Sequence, residues 1–189
     1  MKRYRKGQYG YRNYHRRIEL GKVLAGAALI LIQLLVRSMT DSSSLKNILT
    51  VSAILSVLPV ANWASPLLAS WKYKTLNAEL YKKACTHEGK SRMLYDLIIT
   101  SRDAVMPVDV AAVHSTGIYA YCTAKRLDTG KAERFLKDMF LSHHLEFDIR
   151  IILEEGEFFN CLSSLGPEAE YKDDGSVERG VTLLKSLSM

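Results

Sequence analysis

Long apolar runs occupy the first third of the chain, and short alternating ones occupy the rest. A long uncharged stretch covers residues 48–71 and reads ILTVSAILSVLPVANWASPLLASW, 24 residues. About 20 such residues carry an α-helix across the roughly 30 Å hydrocarbon layer of a bilayer. Pro59 and Pro66 remove backbone donors within it, and Trp63 and Trp71 suit an interfacial aromatic belt at one end. Residues 23–36 form a second uncharged run of 14. Leu20, Gly21, Ser38 and Met39 lengthen it to spanning size if Lys22 snorkels to the headgroups. The basic segment ahead of it resembles the start of a secretory signal, but Arg37-Ser38-Met39-Thr40-Asp41 follows where a small-x-small cleavage site would stand. The pattern predicts a two-helix transmembrane hairpin over about residues 20–39 and 48–71, joined by a short polar outer loop.

Beyond residue 72 the periods shorten. Leu76, Leu80 and Ala84 form one helical stripe over residues 75–84. Residues 93–100, MLYDLIIT, have the apolar and β-branched content of a strand. Residues 108–114 and 117–123 read as a hairpin turning at Ser115, Thr116 and Gly117, with Pro107 blocking a ladder donor just ahead of it. Ala132, Phe135, Leu136, Met139 and Phe140 recur at helical spacing over residues 131–143, behind a cap at Asp128 or Thr129. Residues 147–153 are the next strand, and Glu155-Gly156 a turn into a further strand at 158–162. The prediction is a small α/β domain of order α-β-β-β-α-β in residues 73–165, then a polar loop and a short helix in 166–189.

Composition excludes a disordered chain, with 48% hydrophobic and 24% charged residues. Three scattered cysteines, Cys85, Cys122 and Cys161, exclude a disulfide-framed scaffold and fit a reducing compartment. The net charge of +6 is concentrated: residues 1–18 carry seven Lys/Arg and no acid, whereas residues 72–189 carry 16 against 18 Asp/Glu. With two cations in the loop and Lys72, Lys74, Lys82 and Lys83 after the second span, the positive-inside rule predicts a cell-membrane protein with both termini cytoplasmic. The basic tail interleaves Tyr4, Tyr9, Tyr11 and Tyr14. It suits anionic lipid beside the membrane, and alternatively single-stranded nucleic acid stacked on the tyrosines.

One segment carries a family resemblance. Residues 108–125, VDVAAVHSTGIYAYCTAK, resemble the core of the NERD (nuclease-related) domain, a branch of the PD-(D/E)XK restriction-endonuclease-like fold. That family opens a strand with Asp, turns at a polar-Gly pair, and closes the next strand with Glu-x-Lys. Asp109, Gly117 and Thr123 take the Asp, turn and x positions, and Glu79 lies on a helix where the family often has an acid. The resemblance implies a restriction-endonuclease-like fold over roughly residues 76–153, with Asp109 and Glu79 as site residues. It also places Cys122 where the Glu belongs and Ala124 where the Lys belongs. Mg²⁺ wants hard oxygen ligands, so a thiol substitutes poorly, and a methyl group activates no water. Lys125 is one residue beyond the family position and points to the other face of a regular strand. Glu79, Asp96 and Asp103 are the carboxylates a migrated site would draw on.

Three readings follow. The first is a membrane-anchored, catalytically inactive nuclease-like domain that acts as a binding or scaffold module at the cytoplasmic membrane face, on a protein partner or on nucleic acid near the membrane. The second is a membrane-tethered nuclease with a migrated site, the only reading that calls for a cofactor, Mg²⁺. The third is a small subunit of a membrane complex working through its hairpin, with Gln33, Asn62, Ala25, Gly26, Ala27 and Ala28 packing on partner helices. Lys125, Arg126, Lys131 and Arg134 form a candidate nucleic-acid patch, against which the acidic balance of the domain counts. Cys85-Thr86-His87 and His143-His144 lack zinc-site spacing, so no metal centre is expected from them. Cys122, on an apolar strand, reads as an inert core thiol.

Overall fold

The computed structural model describes residues 4–101, 105–124, 127–166 and 175–189. Their contacts divide the chain into two units, Asn13–Lys72 and a composite of Met1–Arg12 with Tyr73–Met189.

Unit Asn13–Lys72 is built from two long helices, α1 (Tyr11–Met39) and α2 (Ser43–Ser70). They run antiparallel. Gly26 lies against Val60 and Trp63, while seven residues on, Gln33 Nε2 donates to Ser52 Oγ at 3.3 Å and Ser56 Oγ at 3.4 Å. A Cβ on Gly26 would collide with the Val60 side chain, so glycine sets the closeness of the two backbones. Both helices are long and apolar enough to cross a membrane. Only 11% and 6% of their most apolar windows is buried, unlike the core helix of a water-soluble domain. Helix α1 begins at Tyr11, well ahead of residue 20. Gly10, at φ +87°, breaks the chain just before it, and neither Gly nor Pro intervenes before Gly21. The stretch expected to be a free tail over residues 1–18 is therefore partly helix.

The composite unit centres on a four-stranded sheet in the order β1 (Arg92–Thr100), β2 (Val105–His114), β3 (Gly117–Tyr121) and β4 (Ile149–Ile152). β1, β2 and β3 pair antiparallel, and β4 joins β3 in parallel after a crossover through α4 (Thr129–Ser142). Asp128 caps α4, its carboxylate accepting from Lys131 N. Helices α4 and α6 (Ser176–Leu187) cover one face, with Leu136, Phe140, Val181 and Leu184 packed on Leu97, Val108 and Ile149. Helices α3 (Ala78–Cys85) and α5 (Glu155–Ser164) cover the other, with Ala84, Phe158 and Leu162 on Val110, Ala112 and Ile152. The order α3-β1-β2-β3-α4-β4 follows the sequence pattern.

Two local expectations change. Residues 158–162 are helical, not a strand: Phe158 and Leu162, four apart, are both buried, while Glu155 and Glu157 sit in the first turn, where the helix dipole favours acids. Pro107 lies inside β2, opposite Ile98. Its missing donor costs no rung, because Ile98 turns its own N–H and carbonyl outward to Ser188 Oγ and Met189 N, and β3 begins its pairing only at Val110.

Both edges of the sheet carry added partners. Gly7 bridges to Tyr95 and Ser188 to Ile99 along β1, and Lys6 Nζ joins the two by donating to the Ser188 carbonyl. On β4, Glu133 Oε1 accepts from Ile151 N at 2.8 Å. A row of unpaired N–H and C=O groups would otherwise invite another strand.

At the β3–β4 junction a Cβ on Gly117 would stand 2.5 Å from the Asp148 carbonyl oxygen, the same oxygen that accepts from Ile118 N at 2.7 Å. Backbone cannot swing aside as a side-chain tip does. Gly117→Ala is expected to destabilise the sheet unit by about 1–3 kcal/mol, read from thermal unfolding of the full chain in detergent by far-ultraviolet circular dichroism.

Candidate functional site

Of the residues that the NERD resemblance singles out, Asp109 and Thr123 meet beside a break in the ladder between β1 and β2. Tyr95 pairs with Val110 and Leu97 with Val108, but no pairing links Asp96 and Asp109, which stand opposite each other between them. On both strands the alternation of faces slips there. Leu94 and Leu97 point to one core, as do Val108 and Ala111, whereas Tyr95 and Val110 point to the other. Asp96 adopts φ +57°, a left-handed conformation that Asp tolerates better than most residues.

Arg12 fills the break. Its Nη2 donates to the carbonyls of Leu97 at 2.9 Å and Val108 at 3.1 Å, and its Nη1 donates to Asp109 Oδ1 and to the Lys74 carbonyl, both at 2.7 Å. Four of the five guanidinium N–H groups are used, and Nε has no partner among the described residues. Asp109 Oδ2 meanwhile accepts from Thr123 N at 2.7 Å and Thr123 Oγ1 at 2.6 Å. The Arg12 and Asp109 side chains are 3% and 2% exposed, so the pair is held away from water.

Asp96, also buried, turns its carboxylate toward the chain leading to α1 and α3, accepting from Gly10 N at 2.7 Å and Leu76 N at 3.2 Å. Burial raises its pKa above the ordinary 3.8, against the opposing pull of the Arg12 charge and these two amide donors.

As to chemistry, Asp109 is a structural tie. A cation reaching Oδ1 has to displace the guanidinium, and Oδ2 already has two donors. Cys122, next to Thr123, is fully buried, and burial followed by the Asp109 charge pushes its thiol up to about 12. Ala124 supplies a methyl group. Glu79 does not join this centre: it is exposed in the first turn of α3, where its backbone N–H donates to the Asn77 cap. Among the described residues no three His, Cys, Asp or Glu side chains are grouped to hold a metal ion.

The basic residues separate similarly. Lys131 and Arg134 are exposed one turn apart at the start of α4, and Lys131 Nζ lies 3.5 Å from Asp128 Oδ2. Lys125 and Arg126 lie outside the described residues, as does Asp103. In the amino-terminal segment, Arg12 is buried in the sheet unit, and Tyr9 stacks on Tyr81 at 4.0 Å, so neither is available to lipid or to bases. Tyr81 in turn meets the edge of Tyr95, whose hydroxyl donates to Glu88 at 2.8 Å. The domain also has a polar hollow of about 550 Å³ beside β4, lined by Glu133, Arg150, Glu157, Asn160, Cys161 and Ser164 among others.

Sequence reasoning found Asp109 but not the residue that occupies it. A signal was present: an Asp inside the apolar strand MLYDLIIT, and another inside VDVAAV, are acids that burial tolerates only when paired. Nothing in the spacing points to Arg12, 97 positions away from Asp109 along the chain.

Two outcomes test this geometry. Arg12→Ala leaves Asp109 buried without its charge partner and is expected to cost about 3–5 kcal/mol of sheet-unit stability. Arg12→Lys should recover only part of that, since one ammonium cannot bridge Asp109, Leu97 and Val108 together; urea unfolding of the full chain in detergent reads both. Cys122, at about 12 against an ordinary 9.0, should resist maleimide at pH 8 in the folded chain, where about one such thiol in 10⁴ is ionised. Cys85 and Cys161, half-buried, should label first. Because the folded value is raised, the contribution of Cys122 to stability is complete below pH 9 and lost as pH climbs toward 12.

No family model, no curated protein and no solved structure matches this chain, so the geometry around Asp109 is what bears on function.

Proposed function

We propose that the chain is a two-span protein of the cell membrane whose α/β unit is a degenerate nuclease-like module, acting by binding and not by cleaving phosphodiesters. Helices α1 and α2 form the membrane hairpin in this reading. The excess of Lys and Arg outside the loop between them puts both flanks, and with them the α/β unit, on the cytoplasmic side. Among the described residues of the amino-terminal segment, Arg5 and Arg17 are exposed and offer cations to anionic headgroups. A protein partner fits the polar hollow beside β4, where acids, Arg150 and Asn160 offer hydrogen bonds of both kinds.

The observation that carries the non-catalytic reading is the saturation of Asp109. A restriction-endonuclease-like site needs two open carboxylates for Mg²⁺ and a Lys beside the attacking water. Here the first carboxylate is held by Arg12 and Thr123. Cys122 and Ala124 stand at the two other positions.

The full chain, purified in detergent, should leave supercoiled DNA, single-stranded DNA and RNA intact with Mg²⁺ or Mn²⁺. Metal-dependent cleavage that disappears in Asp109→Asn would overturn the proposal and establish the migrated-site nuclease in its place.

A further inference from the structure

We infer that a second copy of this chain packs along the outer face of α2, through Ile48, Val51, Leu55, Leu58 and Asn62. These residues follow one another at intervals of three, four, three and four, the spacing of a left-handed helix–helix seam. The four apolar ones are 63%, 56%, 60% and 70% exposed, and Asn62 is exposed as well. The same spacing continues through Ser65 and Ala69, small residues that let two backbones approach. Helix α1 does not use this face. It meets α2 through Ser52, Ser56, Val60 and Trp63, about a third of a turn away. An open apolar groove of about 640 Å³ runs beside the seam from Asn47 to Pro59, a place for the side chains of a facing helix.

Asn62 identifies the occupant. It lies nine residues inside Trp71, roughly 13 Å along the helix. A carboxamide facing hydrocarbon at that depth has two donors and an acceptor that lipid chains cannot satisfy. Two copies related by a two-fold axis along the bilayer normal run their α2 helices parallel, which sets each seam residue beside its own copy. A carboxamide both donates and accepts, so Asn62 of one chain satisfies Asn62 of the other. The seam is otherwise uncharged and apolar, and so offers nothing to select a partner of different polarity. A single buried Asn in an apolar seam is also the device by which paired helices set their register. This inference rests on the two-span part of the proposed function and is independent of whether the α/β unit cleaves nucleic acid.

The test is sedimentation equilibrium of the full chain in a density-matched detergent, beside carbonate extraction of the membranes that contain it. The chain is expected to resist extraction and to sediment as a dimer. Asn62→Leu should weaken the dimer about tenfold. Asn62→Gln should keep it, and Leu35→Ala, on the exposed side of α1, should leave it unchanged. A monomeric wild-type chain that resists carbonate would overturn the dimer alone, as would a dimer indifferent to Asn62→Leu. Release by carbonate would overturn the dimer and the two-span reading together.

Discussion

The guanidinium of Arg12 stands where the β1–β2 ladder has no rung. Sheets tolerate an interruption only if the released carbonyls find donors, and here both carbonyls beyond the break, those of Leu97 and Val108, turn to the same side chain. The arrangement is demanding because it places a charge in a dry interior. Asp109 neutralises it at 2.7 Å, and Thr123 satisfies the remaining oxygen of that carboxylate. Asp96 is buried beside this pair, and burial raises its pKa in spite of the Arg12 charge and its amide donors. The slip in side-chain alternation on both strands follows from the same break, and so does the placing of α3: the amide of Leu76, just before that helix, is held by Asp96.

One carboxylate cannot serve two masters of opposite need. A catalytic metal wants exposed oxygen, a water-filled approach and neighbouring ligands; a buried ion pair wants water excluded and every lone pair answered. Asp109 has the second environment. Cys122 agrees with it, as a thiol kept neutral by burial beside an acid. Thr123 donates twice to Asp109, while its neighbours Cys122 and Ala124 carry no charge. Position 12 and positions 122–124 are mutually consistent in this respect, which is what a fold stabilised through this point requires.

The legible parts of the sequence were those in which one physical signal dominates. Two uncharged runs mark α1 and α2, helical stripes mark α3 and α4, and the turn at Ser115, Thr116 and Gly117 marks the β2–β3 hairpin. Residues 158–162 misled because FFNCL has the aromatic content of a strand and the spacing of a helix at once, and packing of Phe158 and Leu162 on the sheet decides between them. The start of α1 misled because hydropathy marks where a helix becomes apolar, not where its backbone hydrogen bonds begin. The partner of Asp109 was not legible at all. Local pattern is blind to a contact between residues 12 and 109, and a tail rich in Arg and Tyr offers several equivalent candidates; selection of Arg12 comes from Gly7 and Gly10, whose positive φ values steer the chain along β1 before α1 starts.

That steering has a topological consequence. The sheet unit is assembled from residues on both sides of the α1–α2 insertion: Arg12 before it donates to the carbonyl of Lys74 after it, and Gly10 and Leu76 share the carboxylate of Asp96. Contacts of 2.7–3.2 Å require the two flanks to lie in one compartment. A chain crossing a bilayer an odd number of times between residues 12 and 74 would separate Arg12 from Asp109 by the full hydrocarbon thickness, leaving an unpaired acid buried in the sheet. Folding of this unit therefore selects an even number of crossings, whatever the charge balance of the flanks. The Arg12–Asp109 pair is what requires the two flanks to share one side of any bilayer the hairpin enters.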